Sequence, residues 1–166
     1  MAKISFKGLE EYSAKISRLG KRAIPISKMA VYDGAGLLAD EMKEALKSLS
    51  IQEGKNGLPP YAKPGEKLKG ISKKQRQDLI DSMGLTKIEE RDGWIQTKLG
   101  WDGYGSIPTK KHPKGVPNQL LMRSIESGTS FREKNPIVRK TVNKVNKKVI
   151  DKMAQRVDKE IKKEMK

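Results

Sequence analysis

Residues 117–140 read PNQLLMRSIESGTSFREKNPIVRK, and this stretch carries the clearest structural signals in the chain. A short helical pattern with apolar Leu120, Leu121 and Ile125 runs into Gly128, a residue that commonly ends helices. A polar loop follows, and Pro136 then opens a long basic helix, because proline suits the first helical turn. The stretch therefore predicts two helices joined by a turn, and it lacks the layout of an active site.

The final helix is predicted over residues 136–165, a length of about 45 Å at 1.5 Å per residue. Its apolar positions recur at steps of four, which exceed the 3.6-residue period, so the apolar stripe winds around the helix. We expect the first half to pack on its own domain and the second half to contact another subunit; the alternative is a frayed, lysine-rich tail. The predicted subunit interface consists of Val149, Met153, Val157, Ile161 and Met165.

The first fifty residues predict a strand and two helices. Ile4 and Phe6 alternate with polar residues, as in a short half-buried strand, and a helix then runs to Gly20. A second, long helix is predicted over residues 25–49, with Pro25 in its first turn. Gly34 and Gly36 lie inside it and indicate either close backbone packing or a bend.

Residues 50–71 are rich in glycine and proline, and we predict a mobile loop there. Ser72 is a good N-cap for a helix that extends to Met83. Two alternating runs, 85–90 and 94–101, then flank Asp92-Gly93, which predicts a β-hairpin.

Trp94 and Trp101 lie seven residues apart on the second run of this hairpin, and therefore on opposite faces of the strand. One of them is expected in the core, and the other is a candidate interface anchor. Residues 102–118 are predicted to form a second loop. Together these elements predict an α+β fold in one domain over residues 1–166. It has a small, mainly antiparallel sheet packed by several helices, two of them long.

The composition is strongly basic, with 36 Lys and Arg against 20 Asp and Glu and a net charge of +16. Such an excess favours polyanions or acidic partner surfaces, although solubility explains a lysine-rich face equally well. The candidate polyanion or partner contacts are Lys67, Lys69, Lys110, Lys111 and Lys114. Because no base-reading motif accompanies them, the charge supports only sequence-independent contact with DNA phosphates.

The sequence contains few residues in patterns typical of catalytic sites. His112 is the only histidine, and its lysine neighbour opposes protonation. Asp78 and Asp81 share a helix face and could hold a divalent ion, while Glu89, Glu90 and Lys98 superficially resemble a metal-dependent nuclease set. Exposed helix and strand faces explain these carboxylates better, so the sequence predicts a non-enzymatic protein without cofactor or metal.

The chain has no cysteine, no apolar signal core at its N-terminus, and no run of the ~20 apolar residues that a transmembrane helix needs. We therefore expect synthesis in the cytoplasm and no membrane partner.

Four short motifs resemble those of the tail-component (neck and tail-completion) protein family of long-tailed bacteriophages and prophages. Residues 6–11, FKGLEE, are similar to the family's strand-then-helix start, and residues 78–83, DLIDSM, to its element before the hairpin. Residues 126–129, ESGT, and 136–139, PIVR, resemble its closing turn and the start of its last helix. One departure is clear, since residues 69–74, KGISKK, replace the Asp-Thr-Gly-x-Leu element that many members carry.

The resemblance covers most of the chain and implies a structural virion protein. Family members act at the head–tail junction or cap the tail tube, as rings around a channel that passes DNA. The resemblance thus implies self-association, contact with other neck or tail-tube proteins, and location in the virion after synthesis in a bacterial host. The runner-up interpretation is a nonspecific nucleic-acid-binding module that uses the basic surface.

Overall fold

The computed structural model describes the backbone of residues 9–166 and the side chains of residues 12–166. The helices are α1 (Leu9–Lys47), α2 (Lys73–Asp81), α3 (Asn118–Ser127) and α4 (Ile137–Glu164), with a 3-10 turn at Lys55–Gly57. The strands are β1 (Met83–Leu85), β2 (Glu89–Arg91), β3 (Trp94–Gln96) and β4 (Leu99–Trp101). The predicted α+β class is confirmed. The strand predicted at Ile4–Phe6 lies outside the described residues.

The two long helices, α1 and α4, pack against each other in antiparallel orientation. Gly34 of α1 meets Val149 and Met153 of α4, and a Cβ built on Gly34 would lie 2.7 Å from Met153 Cγ. Of the two possibilities raised by the glycines, close packing therefore applies at Gly34. Around Gly36, in contrast, a Cβ would meet nothing within 4 Å.

Ion pairs follow the same antiparallel register. Arg22 donates to Glu164, and Arg156 Nε lies 3.5 Å from Asp33 Oδ2 and 3.7 Å from Glu160 Oε1. Glu160 is buried, and the neighbouring Arg156 compensates the charge of its carboxylate where little water can solvate it. The Arg22–Glu164 and Arg156–Asp33 pairs connect the C-terminal half of α4 to α1, whereas the Arg156–Glu160 pair lies within α4.

Two helix boundaries predicted near the N-terminus were wrong. Gly20 does not end a helix, and Pro25 lies inside α1 rather than in a first turn. Proline in a helix interior removes one backbone hydrogen bond and costs roughly 3 kcal/mol. Contacts on both sides of Pro25, at Arg22 and at the buried Ile26, favour continuation of the helix.

The main core lies under the C-terminal third of α1. Met42 and Leu46 are fully buried there, together with Ile71 and Leu79 from the next segments and Leu121 from α3. Leu99 and Trp101 of β4 pack against this cluster, so Trp101 is the tryptophan that contacts the core. Aliphatic side chains and methionine supply the buried cluster.

The strands form one long hairpin with an irregular middle. β1 pairs with β4, and β2 with β3, both antiparallel. Asp92 and Gly93 both adopt positive φ angles, 54° and 77°, as the predicted Asp-Gly turn requires. Between the two pairs, Thr97 Oγ1 donates to the Thr86 carbonyl at 2.7 Å and maintains the alignment.

The connection between α3 and α4 lies within the sequence stretch from which the fold was predicted. Its contacts show why that stretch forms two helices joined by a turn. Gly128 has a φ of 73°, and a Cβ there would lie 3.0 Å from the Lys134 nitrogen. Glu126 accepts hydrogen bonds from the backbone amides of Val138 (2.8 Å) and Arg139 (3.1 Å). These amides are in the first turn of α4, where a carboxylate also favours the helix dipole.

We predict that Gly34→Val lowers the free energy of unfolding by about 1–3 kcal/mol, because the added methyl groups collide with Met153. Gly36→Ala is the matched control in the same helix. It should raise stability by about 0.5–1 kcal/mol, since it adds helix propensity in open space. Urea denaturation followed by circular dichroism measures both. Equal effects of the two substitutions would contradict the close contact at Gly34.

Candidate interaction site

The described residues offer no grouping suited to metal-assisted chemistry: within them, no cluster of three or more His, Cys, Asp or Glu could hold a metal ion. Asp78 and Asp81 are engaged separately, by Ser106 and by Gln77. Glu89 and Glu90 are exposed neighbours on β2, and successive strand residues point to opposite faces.

Residues 50–71, predicted as a mobile loop, are attached at both ends. Ile51 bridges Ile71, and Leu68 bridges Arg132 in the turn before α4. A Cβ on Gly70 would lie 2.5 Å from the Ser50 carbonyl oxygen, so the two ends of the segment touch. Whether its middle is mobile stays a prediction.

Arg132 fixes the second attachment of this segment. Its side chain is buried, and Nη1 donates to the Gly70 carbonyl at 2.6 Å. Burial lowers the pKa of the Arg132 guanidinium below its ordinary value, since desolvation disfavours the charged form. Its Nε has no hydrogen-bond partner among the described residues. No sequence pattern indicates this buried charge.

Residues 102–118, also predicted as a loop, form a pinned, hairpin-like segment. Gly105 N donates to the Val116 carbonyl at 2.8 Å, and Tyr104 bridges Pro117. Near the tip, the backbones of Thr109 and His112 exchange two hydrogen bonds, 2.9 and 3.1 Å long. Asp78 Oδ2 holds the side of the segment by accepting from Ser106 N and Oγ, both at 2.9 Å.

These two segments meet and enclose a cavity of about 170 Å³, which we call the loop pocket. Its walls are mainly apolar, and Asp78 and Gln75 of α2 add polar groups. The pocket was not predicted from the sequence. The sequence feature that indicates it is the presence of apolar residues within polar, glycine-rich loops. The lining residues are Leu58, Pro59, Pro60, Tyr61, Gln75, Asp78, Gly105, Ile107, Pro108, Thr109, Val116 and Leu121.

The predicted basic contacts fall into two groups. Lys110 and Lys111 are exposed at the tip of the second segment, directly after Thr109 in the pocket wall, and Lys114 follows. We call residues 109–114 the lysine turn. Lys67 and Lys69 are exposed on the first segment, where Lys69 Nζ lies 3.9 Å from Glu133.

The predicted subunit interface on α4 has a partner within the chain. Val149 and Met153 lie against Gly34 of α1, and Val157, Ile161 and Met165 are half-buried. The expected division of α4 is therefore not what the structure shows, because its second half packs on α1 of the same chain. A subunit contact through the remaining part of the stripe stays a prediction.

Aromatic residues are concentrated on the surface. Of the seven whose side chains are described, only Trp101 packs against the core. As predicted, only one of the two tryptophans packs against the core: Trp101 does so, whereas Trp94 is 77% exposed. The exposed aromatic residues are Tyr12, Tyr32, Tyr61, Trp94, Tyr104 and Phe131.

No family model, curated protein or solved structure matches this chain. Within the described residues, no helix combines the length and apolarity needed to cross a bilayer.

We predict that Asp78→Ala loosens the second segment. Each hydrogen bond to a carboxylate contributes about 1.5–3 kcal/mol, so trypsin cleavage after Lys110 and Lys111 should accelerate by roughly tenfold or more. Asp81→Ala is the matched control, because the hydrogen-bond partner of Asp81 among the described residues is Gln77 on its own helix. Unchanged cleavage in Asp78→Ala would contradict the pinning role.

Proposed function

We propose that this chain is a structural virion protein of a long-tailed phage or prophage, acting at the head–tail junction or tail end and assembling as a ring. The observation that carries the proposal is the placement of aromatic side chains outside the core. Tyrosine and tryptophan bury large areas at low entropic cost, and they are enriched at protein interfaces. In this chain, six of the seven described aromatic side chains lie at the surface. This distribution is expected of a subunit that buries them on assembly.

The basic surface fits the same proposal. Between residues 134 and 166 the chain has 12 basic and four acidic residues, and nearly all the lysines of α4 are exposed. A ring whose lumen or rim carries these lysines would attract passing DNA through its phosphates without reading bases. The motif resemblance at residues 126–129 and 136–139 supports the virion setting.

The direct test is deletion of the gene in a phage or inducible prophage that carries it. We expect particles with unjoined or unfinished tails, and we expect the protein in purified wild-type virions at low copy relative to the capsid protein. Electron microscopy and quantitative mass spectrometry measure these outcomes, and complementation from a plasmid is the control. Normal virions after deletion, together with absence of the protein from wild-type particles, would contradict the proposal.

The second candidate function is nonspecific nucleic-acid binding. A groove near the end of α4 favours it, since lysines dominate its lining, which consists of Gln155, Asp158, Lys159, Lys162, Lys163 and Lys166. Binding of this kind would release counterions and weaken steeply with salt.

We predict that charge reversal at Lys159, Lys162 and Lys163 lowers the salt slope of DNA affinity by about 3, roughly one unit per lost phosphate contact. Fluorescence anisotropy with a labelled duplex at several salt concentrations measures the slope. An unchanged slope would exclude this groove as a DNA contact. The control reverses three exposed lysines elsewhere, Lys43, Lys74 and Lys87.

A further inference from the structure

The first observation is the position of Trp94. It follows the two-residue turn Asp92-Gly93 directly, and its side chain is 77% exposed. The turn has the geometry that favours a rigid two-residue hairpin loop. A large apolar ring held on a defined backbone, largely free of contacts in the described residues, is suited to enter a cavity on another molecule.

The second observation is the loop pocket. It has a volume of about 170 Å³ and opens to solvent, and its walls include Leu58, Pro59, Pro60 and Ile107, so it can accept an apolar side chain. An indole ring also needs an acceptor for its N–H when it is buried. The Asp78 carboxylate lines the wall; because its Oδ2 already accepts from Ser106 N and Oγ, Oδ1 is the oxygen that would accept from an indole N–H.

The third observation is charge. In a chain of net charge +16, residues 89–92 at the hairpin tip carry three exposed carboxylates, Glu89, Glu90 and Asp92. Arg91 Nε lies 3.6 Å from Asp92 Oδ2, which leaves Glu89 and Glu90 as the uncompensated acidic pair, with Lys87 as the nearest lysine before them in sequence. The lysine turn, which continues from the pocket wall, carries three lysines and no acidic residue. The hairpin tip that carries Trp94 and the rim of the loop pocket thus have opposite charge. Opposite charges favour the encounter of two copies and fix their relative orientation.

We propose that Trp94 of one copy inserts into the loop pocket of a second copy, with the acidic hairpin tip lying against the partner's lysine turn. The proposal rests on the proposed function in so far as that function requires self-assembly. It assigns an aromatic-binding site to the loop pocket and a partner-contact role to Lys110, Lys111 and Lys114.

The contact forms between two copies. The pocket adjoins the base of the hairpin, because Gly105 lines it and the neighbouring Gly103 carbonyl accepts from Asn118 N. Trp94 is not among the residues that line the pocket of its own chain, and its side chain is 77% exposed, so both the pocket and Trp94 are open to another copy.

This contact is head-to-tail, since one copy supplies the knob and the next supplies the pocket. Such heterologous contacts propagate, and they close into rings when the rotation per subunit permits. Each copy in a closed ring would use both its Trp94 and its loop pocket.

Two single substitutions test the contact from opposite sides. Trp94→Ala removes the knob, and Leu58→Glu places a charge in the apolar pocket wall at a half-exposed position. Each should raise the concentration needed for assembly by roughly 30-fold or more, the effect expected of a buried aromatic anchor. Sedimentation velocity of the full-length protein measures assembly. Tyr32→Ala and Leu120→Glu, which change exposed apolar residues elsewhere, are the matched controls.

Mixing the two variants gives the decisive measurement. The Trp94→Ala copy keeps its pocket and the Leu58→Glu copy keeps its Trp94, so the mixture should form a 1:1 dimer and stop there. Acrylamide quenching should decrease at the same time, as Trp94 becomes shielded. A mixture that stays monomeric while wild-type protein assembles would overturn the proposal.

Charge exchange provides an independent check. Reversing Glu89, Glu90 and Asp92 to lysine should weaken assembly, reversing the three lysines of the lysine turn to glutamate should do the same, and combining both sets should restore it. If wild-type protein assembles and Trp94→Ala assembles equally well, this interface is wrong and the assembly role stands. If wild-type protein stays monomeric at every concentration, both the interface and self-assembly are contradicted.

Discussion

The close antiparallel contact between α1 and α4 is the constraint on which the rest of the structure depends. Met153 can approach the α1 backbone only because Gly34 has no side chain at that point. The register set there aligns Arg156 with Asp33, and Arg22 with Glu164. A shift of one turn would separate Arg156 from Asp33, two partly buried charges, whereas the Arg156–Glu160 pair lies within α4 and does not depend on the register. Packing and charge thus select the same alignment.

The direction of α4 is fixed at its start, where Glu126 on the last turn of α3 binds the first free amides of the next helix. Because one carboxylate satisfies groups on a second helix, the angle between α3 and α4 is restricted. Gly128 makes the intervening turn possible, since its φ of 73° is unfavourable for other residues. The Glu-Ser-Gly-Thr stretch therefore has a physical role in the fold that is independent of any family resemblance.

Local chemistry made several elements predictable from sequence. Ser72 caps α2 with Gln75 in a reciprocal capping box, and Asp92-Gly93 forms the expected turn, because each signal acts within four residues. Gly20 and Pro25 misled the prediction for α1, because contacts with α4, more than a hundred residues away in sequence, override their local preference. Propensity is a weak guide wherever tertiary packing decides.

The loop pocket could not be predicted from the sequence, for a related reason. Its two walls come from segments more than 40 residues apart, and each wall separately reads as an irregular loop. The attachments that position them are long-range, including the Arg132 bond to Gly70 and the Asp78 bonds to Ser106. Periodicity cannot indicate such contacts, because they depend on which loop ends the core brings together. What the sequence did show was the unusual presence of Leu58 and Ile107 in polar surroundings.

A net charge of +16 restricts how copies of this chain can associate. At long range the copies repel one another, so association needs a local contact whose charges are opposite and whose apolar area is well fitted. Salt would screen the global repulsion, while a contact that excludes water is screened less. A polyanion such as DNA would act in the same direction, since it neutralises the exposed lysines of several subunits together. In the proposed assembly, the basic excess opposes indiscriminate association, and the exposed Glu89, Glu90 and Asp92 of the hairpin tip supply the opposite charge at the proposed contact.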